Sequence, residues 1–201
     1  QGDRAILDIL AAMGARVTWA QGPEGDEVTV AGPEAGFLGG VDVDMGACPD
    51  LVPTVAVAAC FAQGQTSIRN VAHLRIKESD RLEALAVEIA KTGCGTRMLA
   101  DGLIISPAAM PAGLSGGRPG VLSGGLSGGR TIPFETRGDH RLVMGPNLFS
   151  LAGIEPLFDN PGCVAKSFPG FWTAWAPIAA GQTDAGQVEA SGIAGKTGRE
   201  G

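Results

Sequence analysis

No run of lysine or arginine occurs in this chain: 15 basic residues are scattered among 21 acidic ones over 201 positions, leaving a formal net charge of −6. Counterion release from nucleic acid or from an anionic membrane needs cations clustered over an extended face, so neither surface is an expected partner. Any anion must be handled locally. Long apolar runs are missing too. Stretches such as Leu51 to Phe61 fall short of the roughly 18 to 20 residues that span a bilayer. No basic-then-apolar start suggests a signal peptide, and the expected location is the cytoplasm. Four cysteines, Cys48, Cys60, Cys94 and Cys163, stand far apart with no Cys-x-x-Cys, and His73 and His140 are the only imidazoles. That set indicates neither a zinc site nor a disulfide framework, so isolated buried or free thiols are expected. Nothing reads G-x-x-x-x-G-K-[ST], which removes the phosphate-cradling loop of nucleotide hydrolases.

What is present is an α/β pattern, 44% hydrophobic, in a chain long enough for one medium domain with its own core. Ile6, Leu7, Leu10 and Met13 recur at helical spacing after Asp3, Gly14 stops the helix, and Arg16-Val17-Thr18-Trp19 follows as a strand. Leu82, Leu85 and Ile89 repeat the sentence after Asp80. Gly93 ends that helix, and Thr96 to Leu99 and Leu103-Ile104-Ile105 read as two strands joined at Asp101-Gly102. In both copies an Asp-Arg pair opens the helix and places a carboxylate where it can cap free amides.

A second pair of segments also repeats. Asp50 opens a nearly all-apolar helix through Phe61, then comes Gly64 and a strand from Thr66 to Asn70; its echo begins at Asp139, runs through Leu148 to Gly153 and ends near Asn160. The offsets are about 77 and about 89 residues, and a Gly/Ser-rich insertion at about 112–130 accounts for the difference. A helix as apolar as Leu51 to Phe61 must be covered on all sides, so helices are expected inside, with sheets between them and solvent. Each sheet would then show one wet face, as Glu27 to Val30 and Thr66 to Arg69 suggest. The insertion contains Leu-Ser-Gly-Gly three times. That string resembles the signature of ABC-type ATPases, but without a P-loop it reads as a flexible low-complexity loop. Residues 177–201, rich in Gly, Ala, Thr and Gln, read as a flexible tail. The start at Gln1, directly in helical pattern, suggests a piece of something longer.

Polar residues gather at element boundaries: Arg75-Ile76-Lys77-Glu78-Ser79-Asp80-Arg81, Gly138-Asp139-His140-Arg141, Cys163-Val164-Ala165-Lys166-Ser167-Phe168-Pro169, and Asp50 at the mouth of the apolar helix. Boundary positions bring side chains and unpaired helix amides together, which suits anion binding. Arg81, Arg141 and Lys166 are candidate cationic donors, and Asp50 and Glu78 candidate proton-transfer carboxylates. Each cluster has a plainer alternative. Lys77 to Asp80 is also an ordinary capped helix start, Asp139 and Asp50 are natural cap residues, and Lys166 alone would be a surface lysine. Residue chemistry by itself reaches an anion-binding α/β domain.

The string Arg75-Ile76-Lys77-Glu78-Ser79-Asp80-Arg81-Leu82 resembles the R-x-K-E-[ST]-D-R signature of the EPSP synthase family. Pro49-Asp50, Asp139-His140-Arg141 and Ala165-Lys166-Ser167-Phe168-Pro169 resemble three further motifs of that family, in the family's order. The resemblance implies repeated βαβαββ units with buried helices and outer sheets, an inside-out α/β barrel here incomplete. Residues 1–176 would be a partial C-terminal domain, roughly its last two units. It implies transfer of the enolpyruvyl group of phosphoenolpyruvate to the 5-hydroxyl of shikimate 3-phosphate through a tetrahedral intermediate, without metal or organic cofactor. Carried over by position, Asp50 would face the 5-hydroxyl as base and Glu78 would exchange the proton at the phosphoenolpyruvate methylene. Asp50 and Lys77 would contact shikimate 3-phosphate, and His73 stands where many members have Asn at that contact. Arg81, Arg141 and Lys166 would hold phosphoenolpyruvate, with His140 in support. The family's N-terminal domain, which completes both substrate sites, has no counterpart in the chain, so a complementary N-terminal domain is the implied partner and the chain alone is expected to be inactive. The alternatives are an inactive anion-binding fragment and a UDP-N-acetylglucosamine enolpyruvyl transferase. One departure is local: Leu142-Val143-Met144-Gly145-Pro146 puts a proline inside an expected buried helix, costing about 3 kcal/mol unless the helix kinks or starts again.

Overall fold

A computed structural model of the chain describes residues 2–22, 25–77, 80–108 and 130–180. Contacts divide it into two units, residues 1–169 and 170–201. In the first, helix α1 (Ala5–Ala12) leads into a hairpin of β1 (Arg16–Gly22) and β2 (Gly25–Ala31). Then follow β3 (Leu38–Gly39), β4 (Asp42–Asp44), α2 (Val52–Cys60), β5 (Ala62–Gln63), β6 (Thr66–Arg69), α3 (Arg81–Ala90), β7 (Gly95–Met98) and β8 (Leu103–Ser106). After the Gly/Ser-rich segment come β9 (Arg130–Phe134), α4 (Arg141–Met144) and β10 (Ile154–Phe158). The second unit, described alone, is α5 (Phe171–Ala179), in which Phe171 meets Trp172 edge-on at 4.9 Å and stacks on Trp175 at 6.2 Å.

From β4 to β8 the order is βαβαββ, interrupted only by the two-residue β5, and this is the one complete unit among the described residues. Its strands form a four-stranded sheet ordered β4-β6-β8-β7. β4 and β6 run parallel, and the other two pairs antiparallel. Before it stands an α-β-β half (α1, β1, β2); after it, β9 and β10 pair in parallel around α4. The expected two units are therefore one whole unit between portions of two others.

Alternation builds the inner face. Thr66 and Ile68 of β6 are buried while Arg69 is exposed, and register sets Ile68 opposite Leu103 and Thr66 opposite Ile105, all buried. Under this face lies α2. Val52, Val55, Ala56 and Ala59 have no exposed surface at all, as do Leu82, Leu85 and Ile89 of α3. Burying the valine, leucine and isoleucine side chains among these stabilises the fold by about 1.5–3 kcal/mol each. Helices inside and a sheet outside is thus the observed layering in the complete unit.

Several expectations are corrected. Asp3 makes no cap bond to α1, whose N-cap position is Arg4; Asp80 does cap α3, accepting from the Glu83 N–H at 2.9 Å. The β2 strand does not show one wet face: Gly25 to Val30 are exposed on both, because only β1 lies beside it among the described residues. The expected continuous helix from Asp139 is split into α4 and a 3-10 stretch, Pro146–Ala152. Pro146 sits at the start of that second stretch, where its missing N–H costs nothing. Gly145 lies at the join because a Cβ there would come 2.7 Å from Pro53 Cβ of α2. Arg130, placed at the end of the insertion, begins β9. The rest of the expected insertion and residues 181–201 of the expected tail lie outside the described residues; Pro177–Ala179 are helical. No helix among the described residues is long and apolar enough to cross a membrane.

Candidate functional site

The polar clusters all follow the carboxyl ends of parallel-paired strands. Asp50 comes after β4, the 70–81 segment after β6, the 135–141 loop after β9, and Lys166 after β10. In open α/β sheets that end collects ligand-binding groups, since the connections leaving parallel strands emerge there together.

Arg81 is the hub. As the first residue of α3 it is 2% exposed, and its Nε donates to Asp139 Oδ2 at 2.7 Å while Nη1 reaches Asp50 Oδ1 at 3.3 Å. Asp139 is wholly buried, and its second oxygen accepts the Arg141 N–H at 2.9 Å. The Arg141 guanidinium closes the circuit, donating from Nη2 to Asp50 Oδ2 at 2.6 Å. Two guanidiniums and two carboxylates, 91 residues apart at the extremes, thus form a ring of three ion pairs closed by the Arg141 backbone N–H. Guanidinium forks suit such bridging because their N–H directions are fixed.

This geometry removes the cap reading of Asp50. The turn Pro49–Leu51 that carries it has no side-chain cap bond, nor has α2; both carboxylate oxygens go to guanidiniums instead. Asp139 keeps a cap-like bond to Arg141 N–H and adds the buried pair with Arg81. Sequence reasoning placed Asp139 in its cluster without assigning it a partner, because nothing local says which of several carboxylates meets an arginine 58 residues away.

Helix α3 grips the 135–139 loop twice more. Glu83 pairs with Arg137 at 3.1 Å, and the buried Glu88 takes the Glu135 N–H at 3.1 Å and Lys91 Nζ at 2.7 Å. The loop needs this hold: Arg137 and Gly138 both have left-handed φ, +50° and +71°, and for a residue with a side chain that conformation costs of order 1–3 kcal/mol. Lys166 is exposed and reaches the same loop, donating to the Gly138 carbonyl at 3.3 Å. His140, half-buried, is the N-cap residue of α4 without a side-chain cap bond.

The 71–77 segment is held separately. Arg75 spans from Asp80 Oδ2 at 3.3 Å to the Leu99 carbonyl at 2.8 Å, bracing the segment against the cap of α3 and the β7–β8 turn. His73 and Lys77 on it are exposed, and no bond ties either to the ring of ion pairs. Glu78 lies outside the described residues. Thus Asp50, Arg81, Asp139 and Arg141 are brought together, Lys166 touches their loop, and His73 and Lys77 stand apart from it.

Beside the ring is a cavity of about 110 Å³ lined by Asp3, Asp50, Thr54, Arg141, Met144 and Gly145. It is smaller than the about 300–1,000 Å³ of ordinary ligand pockets, so these residues form one wall rather than an enclosure. A larger recess of about 250 Å³, where Arg4 stacks over Trp19 at 4.1 Å, shares none of these residues. Among the described residues no group of His, Cys, Asp and Glu converges to hold a metal ion.

Comparison with known proteins adds the following. The family model described as EPSP synthase (3-phosphoshikimate 1-carboxyvinyltransferase) matches residues 1–175. The 3-phosphoshikimate 1-carboxyvinyltransferase of Thiobacillus denitrificans is 41% identical over 179 residues, covering 89% of this chain and 37% of that protein. The EPSP synthase structure from Acinetobacter baumannii superimposes with a TM-score of 0.65 at 26% identity, over 85% of this chain and 38% of that one. The enolpyruvyl transferase NikO from Streptomyces tendae shares the fold, with a TM-score of 0.54 at 20% identity over 88% and 36% of the two chains. The chain spans somewhat more than a third of the length of the relatives it matches.

Proposed function

The chain belongs to the EPSP synthase family, and from that membership we propose that it supplies one wall of an enzyme that transfers the enolpyruvyl group of phosphoenolpyruvate to the 5-hydroxyl of shikimate 3-phosphate, releasing phosphate. The observation that carries the reading is the position of Asp50, held through both oxygens by Arg81 and Arg141 at 3.3 and 2.6 Å. Family motif and geometry meet there: a carboxylate assigned to the 5-hydroxyl is in contact with two cations assigned to phosphoenolpyruvate.

The chemistry joins the family's motif assignments to these contacts. A carboxylate or phosphate of phosphoenolpyruvate competes with Asp50 for the Arg141 fork, since its anionic oxygens can accept the Nη2 N–H that Asp50 Oδ2 now takes. Taking over that fork uncovers a lone pair on Asp50 Oδ2, which then accepts the proton of the 5-hydroxyl as its oxygen attacks C2 of phosphoenolpyruvate. Glu78 delivers a proton to C3, giving the tetrahedral intermediate. Cleavage of the C2–O bond to phosphate and return of a C3 proton to Glu78 then form the enol ether. Arg81, fixed by the buried Asp139, stays in place throughout and needs no reorganisation as charge moves. Lys166 adds a point charge to the departing phosphate, His140 supports that side, and by the family's motif order Lys77 and, more weakly, His73 are assigned to the 3-phosphate of the shikimate.

Both substrates need a second wall, which a complementary N-terminal domain supplies; holding two reactants between domains is worth orders of magnitude in rate. The test is phosphate release from shikimate 3-phosphate and phosphoenolpyruvate by the chain alone and mixed with a separately produced N-terminal segment of a related enzyme. Release only in the mixture is the expected outcome. Silence in both, with circular dichroism showing a folded chain and a complete enzyme active alongside, identifies an inactive fragment and overturns the reading.

A further inference from the structure

The sequence presents four cysteines as isolated, and the structure brings two of them together. Cys60 is the last residue of α2 and donates its thiol to the Ala56 carbonyl at 3.2 Å. Cys94 follows Gly93, whose φ of +98° turns the chain out of α3 toward β7, and its thiol approaches the Cys60 carbonyl at 3.9 Å. The two thiols are close enough for each to shift the other's protonation. All four thiols are free and buried, but Cys48 and Cys163 lie elsewhere, each beside carboxylates, Asp44 and Asp3 for one, Asp139 and Asp159 for the other.

We propose that Cys60 and Cys94 are an oxidisable pair, converted by a small peroxide into a disulfide that fastens the end of α2 to the α3–β7 turn. The two ends belong to one βαβαββ unit, and the link needs no movement between units. Selectivity comes from the local bonds. The neighbouring Cys60 thiol, aided by the Thr92 hydroxyl and the Ala108 N–H, outweighs burial and holds the Cys94 thiol down to about 6. Cys48 and Cys163 are pushed up, chiefly by burial. Since the thiolate is the attacking species, Cys94 reacts first.

Its sulfur attacks one peroxide oxygen, the O–O bond breaks, and hydroxide leaves to become water with the proton Cys94 gave up. The Cys94 thiolate is what chiefly raises the Cys60 thiol, and its oxidation removes that hold, so Cys60 attacks the sulfenic sulfur and its proton leaves with the sulfenic oxygen as the second water while the S–S bond forms. Two electrons from the two sulfurs have then reduced one peroxide to two waters. In a reducing compartment such a link is transient, forming under oxidant and reversing with thiol.

The test treats the full chain, with Cys48→Ser introduced, with hydrogen peroxide, then alkylates and digests with trypsin. Cleavage leaves Cys94 on the six-residue peptide 92–97 and Cys60 on peptide 17–69, so mass spectrometry reads their link directly. The expected result is a 17–69/92–97 link that dithiothreitol reverses, formed about tenfold faster than any change at Cys163. In Cys60→Ser, checked for folding by circular dichroism, Cys94 should instead advance to the sulfinic acid. No linked peptide while a glutathione control is fully oxidised overturns the proposal, as does oxidation of Cys163 at an equal rate.

Discussion

Asp50 and Asp139 carry the same charge into the same ring of ion pairs, and their surroundings make them energetically unlike. The Asp50 side chain is 44% exposed and meets Arg141, 31% exposed, where solvent screens the pair to about 0–1 kcal/mol. Asp139 has no exposed surface and faces Arg81 at 2%; removing one partner of such a pair leaves a charge uncompensated and costs about 3–5 kcal/mol. Urea unfolding should therefore show Asp139→Asn destabilised by about 3 kcal/mol and Asp50→Asn by less than about 1 kcal/mol. Equal losses would mean that Arg81 does not depend on Asp139. The division suits the proposed roles: the carboxylate that must exchange partners is held loosely, and the one that fixes Arg81 is held in the core. Asp50 was visible in the sequence as a motif residue, whereas its two guanidinium partners and the part played by Asp139 required spatial neighbours.

At the scale of elements, those with strong local signals were legible. Helix α3 has apolar residues at helical spacing, an Asp80 cap and a Gly93 stop, and it lies at Arg81–Ala90. Strands β7 and β8 meet across Asp101-Gly102, with the Leu99 N–H on the Gly102 carbonyl at 2.9 Å. That glycine is required, because a Cβ there would overlap the Ile68 carbonyl of β6. Strands β3, β4 and β5, two or three residues long, are too short for a period of two to show, and β9 sits against a low-complexity run that hides it. Loops are fixed by single bonds of the same kind. Asp159, just after β10, accepts the Thr136 N–H at 2.8 Å, and that bond above all holds its carboxyl below the ordinary value of 3.8. A carboxyl depressed in the folded state stabilises the fold fully above its unfolded value and loses that contribution as pH falls through the depressed one. Asp159→Asn should accordingly flatten the loss of stability below about pH 3.8, followed by denaturant midpoints across the acid range. An unchanged slope would show that the Thr136 bond persists with a protonated carboxyl.

For the whole molecule, the consequential fact is that among the described residues one complete βαβαββ unit stands between portions of two others, in a chain spanning little more than a third of the length of its relatives. The β1–β2 hairpin leaves Trp19, Val28 and Val30 between 42% and 47% exposed, apolar surface that the proposed complementary segment would cover. If such a segment docks, mass action predicts a thermal midpoint that rises with its concentration; differential scanning calorimetry at several ratios should show that rise, and a constant midpoint would mean no docking. The sequence by itself determined the α/β class, helices α1, α2 and α3 and the family, because periodicity, caps and a contiguous motif are local properties of the chain. Only the tertiary structure decided that Asp50 bridges two arginines instead of capping a helix, that Asp139 is the buried partner of Arg81, that Pro146 restarts a helix, and that Cys60 meets Cys94. Each of those facts is a contact between residues distant in sequence or a backbone route set by packing, and neither leaves a periodic trace in the chain.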